Sequence, residues 1–456
     1  MPSVAIGFLL LQALAPAAGG RVLAVGPATR YAHPSEAIAA ARPGDTIRVA
    51  PGVYGGPLAI DRRVVLIGAP GATFDGRGRG TVVSVDADSV EIRGFTIMRS
   101  GMSLNHDEAA IKLLRCTGCI IAGNTIESSL HGIYLLSSHQ VLISDNRITG
   151  DAGLQEAWRG NGIHLYNSTY VEMIANTIRT TRDGLYFSFA SFSTAAGNDV
   201  SNVRYGLHYM YSDDNTFTDN RFTRNAAGAA IMFSKRITFR ANTFSRHVGY
   251  RAYGILLQTA ENVIAEQNII EGNLTGLFLD GSTGNVFRGN TITGNGVGID
   301  MMASSEGNTF VENVITGNRT SARTILGAGD NEWSAGGRGN FWGSRTTYDL
   351  DGDGVGDRPH RAGDPFASLA GLRPVLELWA GTPAARALSW AESAFPVFDF
   401  PAITDERPLA VRPTGAPVGA TATFNESQAL FLVASVGVLG LALYQSKSST
   451  SPRARR

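Results

Sequence analysis

The chain has 456 residues, enough for two or three average domains or for one long repetitive domain. Charged residues make up 17%, and 39 Lys and Arg balance 39 Asp and Glu, which excludes the basic surface of a nucleic-acid-binding protein. A hydrophobic fraction of 43% excludes disorder, and two cysteines exclude a disulfide scaffold. The 54 glycines, about 12% of the chain against a usual ~7%, indicate many turns between short strands.

The first element in chain order is an apolar run, Val4–Leu14, followed by the small residues Ala15-Pro16-Ala17-Ala18. An apolar run with small residues after it is the pattern of a signal peptide, which we expect over residues 1–20. Because the run has no Lys or Arg before it, a buried N-terminal helix is the alternative interpretation. The pattern predicts an exported protein.

The middle of the chain is repetitive. An Asn followed two residues later by Ile, Val or Phe recurs in steps of 22 or 23 residues, with one step of 26 and one of 30. It stands at Asn124, Asn146, Asn176, Asn198, Asn220, Asn242, Asn268, Asn290 and Asn313. A second mark, a small residue followed by Ile or Leu, runs in step with it at Ala110, Gly132, Gly162, Gly184, Gly206, Ala230, Gly254, Gly276 and Gly298. Two marks in register, with no helical stripe between them, predict one coil of a right-handed parallel β-helix per repeat.

The predicted fold is therefore all-β, a single-stranded right-handed parallel β-helix of the pectin-lyase-like type over residues 21–345. The apolar residues two after and three before each Asn should form interior columns with a spacing of ~4.8 Å. The Asn itself should occupy a left-handed turn and hydrogen-bond along the stack. We also expect Phe95 in the Asn position of an earlier coil, Asp151–Gly160 as a surface loop that bears Trp158, and Trp342 as a cap on the core.

Residues 346–400 differ in composition from the repeats. They combine an Asp- and Gly-rich turn with a helical stretch near Pro374–Phe395 that is rich in Ala, Leu and Pro. The apolar side chains of Leu376 and Trp379 are unsuited to a free linker, so this segment is predicted to dock on a partner. Residues 401–426 are then typical of a linker.

A membrane anchor is predicted after the linker. Residues 427–446 are uncharged and as a helix would span ~30 Å, about one hydrocarbon core. The tail 447–456 carries Lys and Arg but no acidic residue, so the tail should be cytoplasmic and everything upstream should lie outside.

One outer face of the predicted coil has an unusual composition. The strand after each small residue alternates inward and outward, so its outward side chains line one face in columns. The first predicted column holds Lys112, Tyr134, His164, Tyr186, His208, Met232, Leu256, Phe278 and Asp300. The second holds Leu136, Tyr166, Ser188, Met210, Ser234, Gln258, Asp280 and Met302. A solvated sheet face would carry Thr, Ser, Asn and Lys, so these aromatic, His and Met side chains indicate a surface with another role.

This face predicts a copper site. His208 and Met210 share a strand, Met232 should lie one coil above, and His164 two coils below would be a second position for the ion. Imidazole and thioether ligands without a thiolate or carboxylate suit Cu(I), and their scatter over adjacent coils suits its transfer. The alternative is that the same side chains pack beneath a covering loop or a partner.

Two further motifs could bind metal. Cys116-Thr117-Gly118-Cys119 is a C-x-x-C whose register predicts a core thiol or a small disulfide rather than a metal or redox site. The D-x-D-x-D-G opening of a Ca²⁺ loop is present at Asp349, Asp351, Asp353 and Asp357. Its twelfth position is His360 instead of Glu, so calcium binding and an ordinary Gly/Asp turn are both open.

The rival interpretation is an enzyme, because many parallel β-helices are polysaccharide lyases, hydrolases or C5-epimerases. Such chemistry needs a base, an acid and charge stabilisers on one face. The best carboxylates are Asp280 and Asp300, one coil apart, with no Lys or Arg beside them in either predicted column. Stacking of sugars would fall to Tyr134, Tyr166 and Tyr186. This carbohydrate interpretation is the weaker one.

A family resemblance rests on two segments. The strand Tyr205-Gly206-Leu207-His208-Tyr209-Met210-Tyr211-Ser212-Asp213-Asp214-Asn215 resembles the hallmark of the NosD family, the periplasmic copper-associated β-helix proteins that mature nitrous-oxide reductase. The step from Asn340-Phe341-Trp342 into Tyr348-Asp349-Leu350-Asp351-Gly352-Asp353-Gly354 is similar to the end of the helix in that family. The resemblance covers the chain from about Gly44 to Phe400.

The resemblance implies a periplasmic protein without catalysis of its own. Such proteins sit on the outer face of an ABC transporter, composed of permease and ATPase, and take copper from a membrane-anchored chaperone. They then help to build the copper–sulfur centre of nitrous-oxide reductase, their client, with sulfur as a second species that they could handle. The resemblance supplies no ligand set, and an inner-membrane anchor at 427–446 is not a general feature of the family.

Overall fold

The structure, a computed structural model, describes residues 20–325, 327, 329–343, 347–363, 375, 379, 382–383, 387 and 403–419. It contains two compact units, Met1–Thr181 and Arg182–Arg456. Within each unit, successive coils of short strands stack into three parallel sheets. The fold is an all-β parallel β-solenoid, as the repeat predicts.

The strands of the N-terminal unit form three sheets in which each strand pairs with its equivalent in the next coil. Sheet 1 contains Val22–Val25, Asp45–Val49, Val64–Gly68, Glu91–Arg93, Ile120–Ala122, Leu142–Ser144 and Glu172–Ile174. Sheet 2 contains Gly52–Gly55, Ala72–Asp75, Thr96–Met98, Thr125–Glu127, Arg147–Thr149 and Thr177–Arg179. Sheet 3 contains Leu58–Ile60, Val83–Val85, Ala109–Leu114, His131–Leu136 and Ile163–Tyr166.

The C-terminal unit repeats the same arrangement. Its sheet 1 contains Thr194–Ala196, Thr216–Thr218, Thr238–Arg240, Ile264–Glu266, Val286–Arg288 and Thr309–Val311. Its sheet 2 contains Asp199–Ser201, Arg221–Thr223, Thr243–Ser245, Ile269–Glu271, Thr291–Thr293 and Val314–Thr316. Its sheet 3 has the longest strands, Asp183–Ser188, Tyr205–Met210, Ala227–Lys235, Tyr253–Glu261, Thr275–Asp280, Val297–Met302 and Thr320–Ile325.

Helix is scarce in the described residues. The α-helix Pro34–Ala40 begins with a capping box, in which the side chain of His33 accepts from the N–H of Ser35 and Glu36 reaches back to the chain before the helix. Its buried face, Ala37 and Ile38, lies against the first strands of the N-terminal unit. Two 3₁₀ turns, Leu104–His106 and Glu156–Trp158, lie in loops.

The short strands follow from the alternation of side chains between the two faces of a strand. A three-residue strand turns only its central side chain inward, and the predicted interior columns supply that side chain in every coil. All eighteen predicted column residues are buried, among them the ring stacks Phe217 on Phe239 and Phe287 on Phe310, whose centroids lie 5.1 and 4.8 Å apart. Phe95 is buried in the position predicted for it. The two interior columns are confirmed.

The Asn ladder is confirmed as well, with one correction. Within the C-terminal unit the amide oxygen of each Asn accepts from the backbone and side-chain amides of the Asn one coil before, as between Asn220 and Asn242 at 2.9 Å for both bonds. The left-handed residue is the one before the Asn, for example Ala241 with φ of +55°, and not the Asn itself.

The surface loop Asp151–Gly160 is present, and Trp158 in it is 66% exposed. At the other end of the coil, Trp333 stacks on Phe310 at 4.3 Å and Trp342 lies beyond it at 5.9 Å. Trp342 is buried and helps to close the core, as predicted.

The segment predicted as a linker, 401–426, is ordered against the coil in its described part, 403–419. The strand Ile403–Asp405 pairs antiparallel with His360–Ala362. The carboxylate of Asp405 is fully buried and accepts from the backbone N–H of Asn340 at 2.7 Å and from the indole of Trp342 at 2.8 Å. This segment therefore supplies the acceptor for the backbone N–H of the last ladder Asn, which composition alone did not indicate.

Three predictions fall wholly or largely on residues that the structure does not describe. The signal peptide occupies 1–20, of which only Gly20 is described, and the anchor 427–446 lies wholly outside the described residues. Within the described ranges the α-helix has seven residues, far short of a bilayer span. The helical stretch predicted near Pro374–Phe395 is also largely outside them.

Candidate functional site

The outward side chains of sheet 3 in the C-terminal unit form two columns, which we call the His/Met face. Pairing along the sheet gives the first column as Tyr186, His208, Ala230, Leu256, Phe278, Asp300 and Arg323. It gives the second as Ser188, Met210, Met232, Gln258 and Asp280.

This pairing corrects the predicted position of Met232. Met232 lies directly opposite Met210 in the second column, and Ala230 is the neighbour of His208. The error came from taking Ala230 as the small residue of its coil, whereas Gly228 lies in register with Gly206 and Gly254. Gly228 packs its Cα so close to the carbonyl of Gly254 that an added Cβ would lie 2.3 Å from that oxygen, so only glycine fits there.

His208 is held by a buried carboxylate. Its Nδ1 lies 2.8 Å from Oδ2 of Asp183, whose side chain is 1% exposed. The guanidinium of Arg204 makes two bonds to the same carboxylate, 2.8 Å from Nε to Oδ1 and 2.6 Å from Nη2 to Oδ2. Burial by itself would raise the pKa of Asp183, but the hydrogen bonds and charges of His208 and Arg204 outweigh it and hold the pKa below its ordinary value.

The contact with Asp183 fixes the tautomer of His208. A carboxylate can only accept, so the proton of the neutral imidazole sits on Nδ1, and Nε2 keeps its lone pair. A histidine that donates one ring N–H to a carboxylate is the usual arrangement of a metal ligand, because the contact orients the ring and raises its basicity. In the neutral ring, Nε2 of His208 therefore carries the lone pair that a metal ligand requires.

Aromatic rings enclose His208 on two sides. The rings of Tyr186 and Tyr205 each lie 4.9 Å from the imidazole, and Arg204 lies 4.7 Å above the ring of Tyr205. The imidazole is 13% exposed, so one edge reaches solvent while the rest of the ring is packed. The packing restricts the ring to one orientation.

The thioethers of Met210 and Met232 complete the arrangement. Both side chains are half-buried, and they belong to paired strands whose spacing is ~4.8 Å. Ala230, on the coil that carries Met232, lies between His208 and Leu256 in the first column. An imidazole nitrogen and two thioether sulfurs with this placement are a soft ligand set that suits Cu(I).

His164 lies in the N-terminal unit and has different contacts. Its Nδ1 is 3.2 Å from the amide nitrogen of Asn161, and its ring lies 4.5 Å from Tyr134 and 5.2 Å from His131. If the amide donates to Nδ1, the proton of the neutral imidazole is on Nε2.

An aromatic ladder borders the His/Met face and was not predicted from the sequence. Phe189, Tyr211 and Phe233 follow the second column directly, and their rings stack with centroids 5.3 Å apart and planes within 12° of parallel. Their exposed fractions are 51%, 50% and 45%, and all three have φ near +50°. Bulky residues are strained in that region, and the next coil has Thr259 in the same position. The 22-residue spacing of the three aromatics was the signal that could have revealed the ladder.

Asp183 was also missed. It stands at the start of its strand, paired with Tyr205, and nothing in the repeat distinguishes it from a turn residue. The sequence nevertheless held one signal: this acidic residue directly precedes Gly184, which lies in register with the glycines of the other coils. An acidic residue at such a buried position is expected to have a partner, because acidic residues are rarely buried without one.

The carboxylates of the enzyme interpretation are engaged in other contacts. Asp300 makes two bonds to Arg323, of 3.0 and 2.7 Å, and its side chain is 4% exposed. This corrects the expectation that no Arg lies beside it, because Arg323 belongs to the next coil, where the repeat marks had ended. Asp280 accepts from the amide of Gln258 at 3.3 Å. Each of the two carboxylates thus has a hydrogen-bond partner of its own.

The other predicted metal residues are those of the Asp-rich turn. The side-chain oxygens of Asp349, Asp351 and Asp353 lie within 4.8 Å of one another, in a geometry that could hold a cation. Asp357 instead accepts from the backbone N–H of Leu350 at 2.6 Å. In the docking segment, Trp379 is 59% exposed, and Leu376 lies outside the described residues.

Comparison with known proteins agrees with the resemblance of the motifs. Residues 144–347 match the model of the family described as "Periplasmic copper-binding protein (NosD)". The chain is 34% identical over 412 residues to the "Probable ABC transporter binding protein NosD" of Pseudomonas aeruginosa, covering 87% of this chain and 95% of that protein. It is 31% identical over 383 residues to the protein of the same name from Stutzerimonas stutzeri, covering 80% and 87%.

Solved structures with similar coils are distant in sequence. The catalytic unit of an α-1,3-glucanase from Streptomyces thermodiastaticus aligns at 16% identity with a TM-score of 0.49, over 67% of this chain and 64% of that one. The A-module of the mannuronan C-5 epimerase AlgE6 from Azotobacter vinelandii aligns at 12% identity with a TM-score of 0.46, over 68% and 93%. Likeness this low says nothing about activity. The sequence identity over nearly the whole length of two relatives is decisive: this chain belongs to the NosD family.

Proposed function

We propose that this protein carries Cu(I) on its His/Met face and passes it on during maturation of nitrous-oxide reductase, in which it helps to assemble the copper–sulfur centre. The observation that carries the proposal is the hydrogen bond from His208 to the buried Asp183, beside the paired Met210 and Met232. The names of its relatives describe binding proteins rather than enzymes. Copper is the cargo in this proposal.

The chemistry of the face suits transfer. Thioether and imidazole ligands hold Cu(I) with less charge than thiolates, so a partner with stronger ligands can remove the ion. Because His208 is 13% exposed and Met210 and Met232 are half-buried, an ion bound there would remain accessible from outside. We infer that the ion enters and leaves along this exposed edge.

The partners that we propose are a membrane-anchored copper chaperone and an ABC transporter made of permease and ATPase. The aromatic ladder of Phe189, Tyr211 and Phe233 offers the chaperone an apolar surface directly beside the two methionines. Its rim carries little net charge, because Arg236 is paired with both Asp213 and Asp214 and leaves one negative charge in excess. Apolar contact rather than charge would therefore select the partner.

The test is anaerobic Cu(I) titration of the purified chain against a variant with His208→Ala, Met210→Ala and Met232→Ala. All three side chains point outward, so the variant should keep its fold and unfolding temperature. It should lose more affinity than the roughly 10–100-fold caused by removing a ligand's supporting hydrogen bond. In cells, nitrous-oxide reductase should then lack its copper–sulfur centre.

The matched control is Leu256→Ala with Gln258→Ala, which removes the next two side chains of the same columns and should leave Cu(I) affinity unchanged. A second arm, Tyr211→Thr with Phe233→Thr, copies Thr259 of the next coil and should impair copper delivery in cells without altering the titration. If the triple variant binds Cu(I) as the wild type does, the face serves for packing or docking and the copper assignment is wrong.

Three further roles remain proposals from the sequence. We propose that the segment with Leu376 and Trp379 docks on the transporter, so that replacing both by Asp should abolish co-purification with the permease. We propose Ca²⁺ at Asp349, Asp351, Asp353 and Asp357, tested by calorimetric titration of Asp351→Asn. His164 as a second copper position is tested by a reduced copper stoichiometry in His164→Ala.

A further inference from the structure

The two cysteines of the chain lie in one turn of the N-terminal unit, between the strands Ala109–Leu114 and Ile120–Ala122. Both are free and fully buried. Sγ of Cys116 lies 3.2 Å from the carbonyl of Val85, and Sγ of Cys119 lies 3.4 Å from that of Ala87. The only two thiols of the chain are therefore buried in one turn, each against a carbonyl of the preceding coil.

Neighbouring coils show what these positions otherwise require. The position of Cys116 is held by Ser138 and then Ser168, and each hydroxyl accepts from the backbone N–H of the coil before it, at 3.2 and 3.0 Å. The position of Cys119 is held by Val141 in the next coil, which is buried like it. A serine and a valine are thus replaced by cysteine at the same time and in the same coil.

Neither replacement improves the turn when considered alone. A thiol is a weaker hydrogen-bonding group than the hydroxyl that the repeat places at Ser138, and it is less apolar than the side chain at Val141. A paired change at two buried positions of one turn is explained when the two side chains form a bond with each other. Because the coils are regular, each neighbouring coil is a reference for what a given position requires.

We propose that Cys116 and Cys119 form a disulfide in the mature protein. The two thiols exchange with an external disulfide, R–S–S–R, which is supplied by a thiol oxidant in the compartment to which the protein is exported. One S–S bond forms between the cysteines, the R–S–S–R bond breaks, and two R–SH leave with the two protons. Because both sulfurs are buried in the folded coil, the exchange takes place before the coil closes over them.

One consequence concerns copper and rests on the proposed function. Thiolates bind Cu(I) more strongly than thioethers or imidazoles, so a reduced pair would compete with His208, Met210 and Met232 for the ion. The disulfide removes that competitor and leaves the His/Met face as the place where Cu(I) binds. The disulfide itself does not depend on this consequence.

The test counts thiols. Protein isolated from the compartment to which it is exported is denatured and alkylated without a reductant. Mass spectrometry of the intact chain should then show no label. The measured mass should be lower than that of the reduced chain by two hydrogen atoms. After reduction, both cysteines should take label. The matched control is Cys116→Ser with Cys119→Val, which copies Ser138 and Val141, should fold normally and should take no label in either condition.

Other results would overturn the proposal. Two labelled thiols without reductant, or a covalent dimer of two chains, would show that the pair does not close on itself. Loss of Cu(I) binding in the Cys116→Ser, Cys119→Val variant would make the pair a copper site, whatever the His208 variants show. Thiol labelling therefore tests the disulfide separately from the copper titrations that test the proposed function.

Discussion

At the scale of single residues, His208 is oriented by its hydrogen bond to the buried carboxylate of Asp183. Without this carboxylate, the neutral imidazole could carry its proton on Nε2, and that nitrogen would then have no lone pair for a metal ion. The guanidinium of Arg204 keeps this buried carboxylate charged by two hydrogen bonds. The three side chains belong to two neighbouring strands, so the arrangement exists only after the coils have stacked.

We expect Asp183→Asn to lower Cu(I) affinity by roughly 10–100-fold, because Asn cannot supply the charge that fixes the tautomer. The measurement is competitive Cu(I) titration, combined with ¹⁵N chemical shifts of the His208 ring, which report the position of its proton. The control Asp213→Asn alters an exposed ion pair with Arg236 and should change neither quantity. Equal affinity and unchanged ring shifts in Asp183→Asn would contradict a positioning role.

A second carboxylate makes stability depend on pH. Asp45 accepts from the guanidinium of Arg21 at 2.6 Å and from the backbone N–H of Arg42 at 2.8 Å, and the bond from Arg21 lowers the pKa of Asp45 to about 2. A folded pKa below the ordinary value stabilises the fold above that ordinary value. The stabilisation is lost as the pH falls from about 4 towards 2.

The strand Val22–Val25, which Arg21 leads into, should therefore lose protection from hydrogen exchange between about pH 5 and about pH 2. In Asp45→Asn the strand should already be less protected at about pH 5, with little further change on acidification. Hydrogen exchange followed by mass spectrometry checks both statements. Equal acid sensitivity in the two proteins would show that this pair does not control the strand.

At the scale of elements, the Asn ladder supports the turns between sheets 1 and 2. Asn242 donates to Asn268 at 3.1 Å and to the carbonyl of Phe217 at 2.9 Å, while accepting two bonds from Asn220. Asn242→Ala leaves several of these buried groups without a partner. At ~1–3 kcal/mol for each unsatisfied group, we expect a loss of roughly 2–5 kcal/mol.

The measurement for Asn242→Ala is the urea midpoint at equal slope. The exposed Thr194, on sheet 1 of the same unit, provides the control, and Thr194→Ala should change stability by less than ~0.5 kcal/mol. A ladder variant as stable as this control would mean that the backbone bonds alone maintain the turns. The ladder would then be a by-product of the repeat.

The C-terminal end of the coil is closed by a different device. Asp405 replaces a further ladder Asn by accepting from Asn340, Trp342 and the backbone N–H of Arg407. Burial raises the pKa of Asp405, and the four hydrogen bonds only partly oppose it. The segment 403–419 therefore completes the coil and prevents the exposed ladder end from pairing with another chain.

At the scale of the whole molecule, the sequence predicts an exported solenoid fixed to the inner membrane by residues 427–446, with the tail 447–456 in the cytoplasm. A reporter that is active only in the periplasm, fused after Arg456, should give no signal. The same reporter fused after Gly419, before the predicted helix, should be active. Strong activity of the fusion after Arg456 would contradict this topology.

The sequence by itself determined every feature that repeats. The period of 22 residues, the inward columns and the Asn ladder could be predicted because each coil contains the same local sequence pattern. Phe95 and Trp342 could be placed because they occupy known positions of that pattern. Even the two methionines could be assigned to the outer face, since a strand alternates with period two whatever lies next to it.

Only the tertiary structure decided the contacts that occur once. Asp183 with His208, Arg323 with Asp300 and Asp405 with Asn340 each join coils or segments through a pair of side chains that no periodic pattern announces. Gly228 rather than Ala230 sets the register of its coil because of how closely two backbones approach, which is a property of the stack. Contacts that occur once depend on how the coils are stacked. They can therefore be identified only from the folded structure.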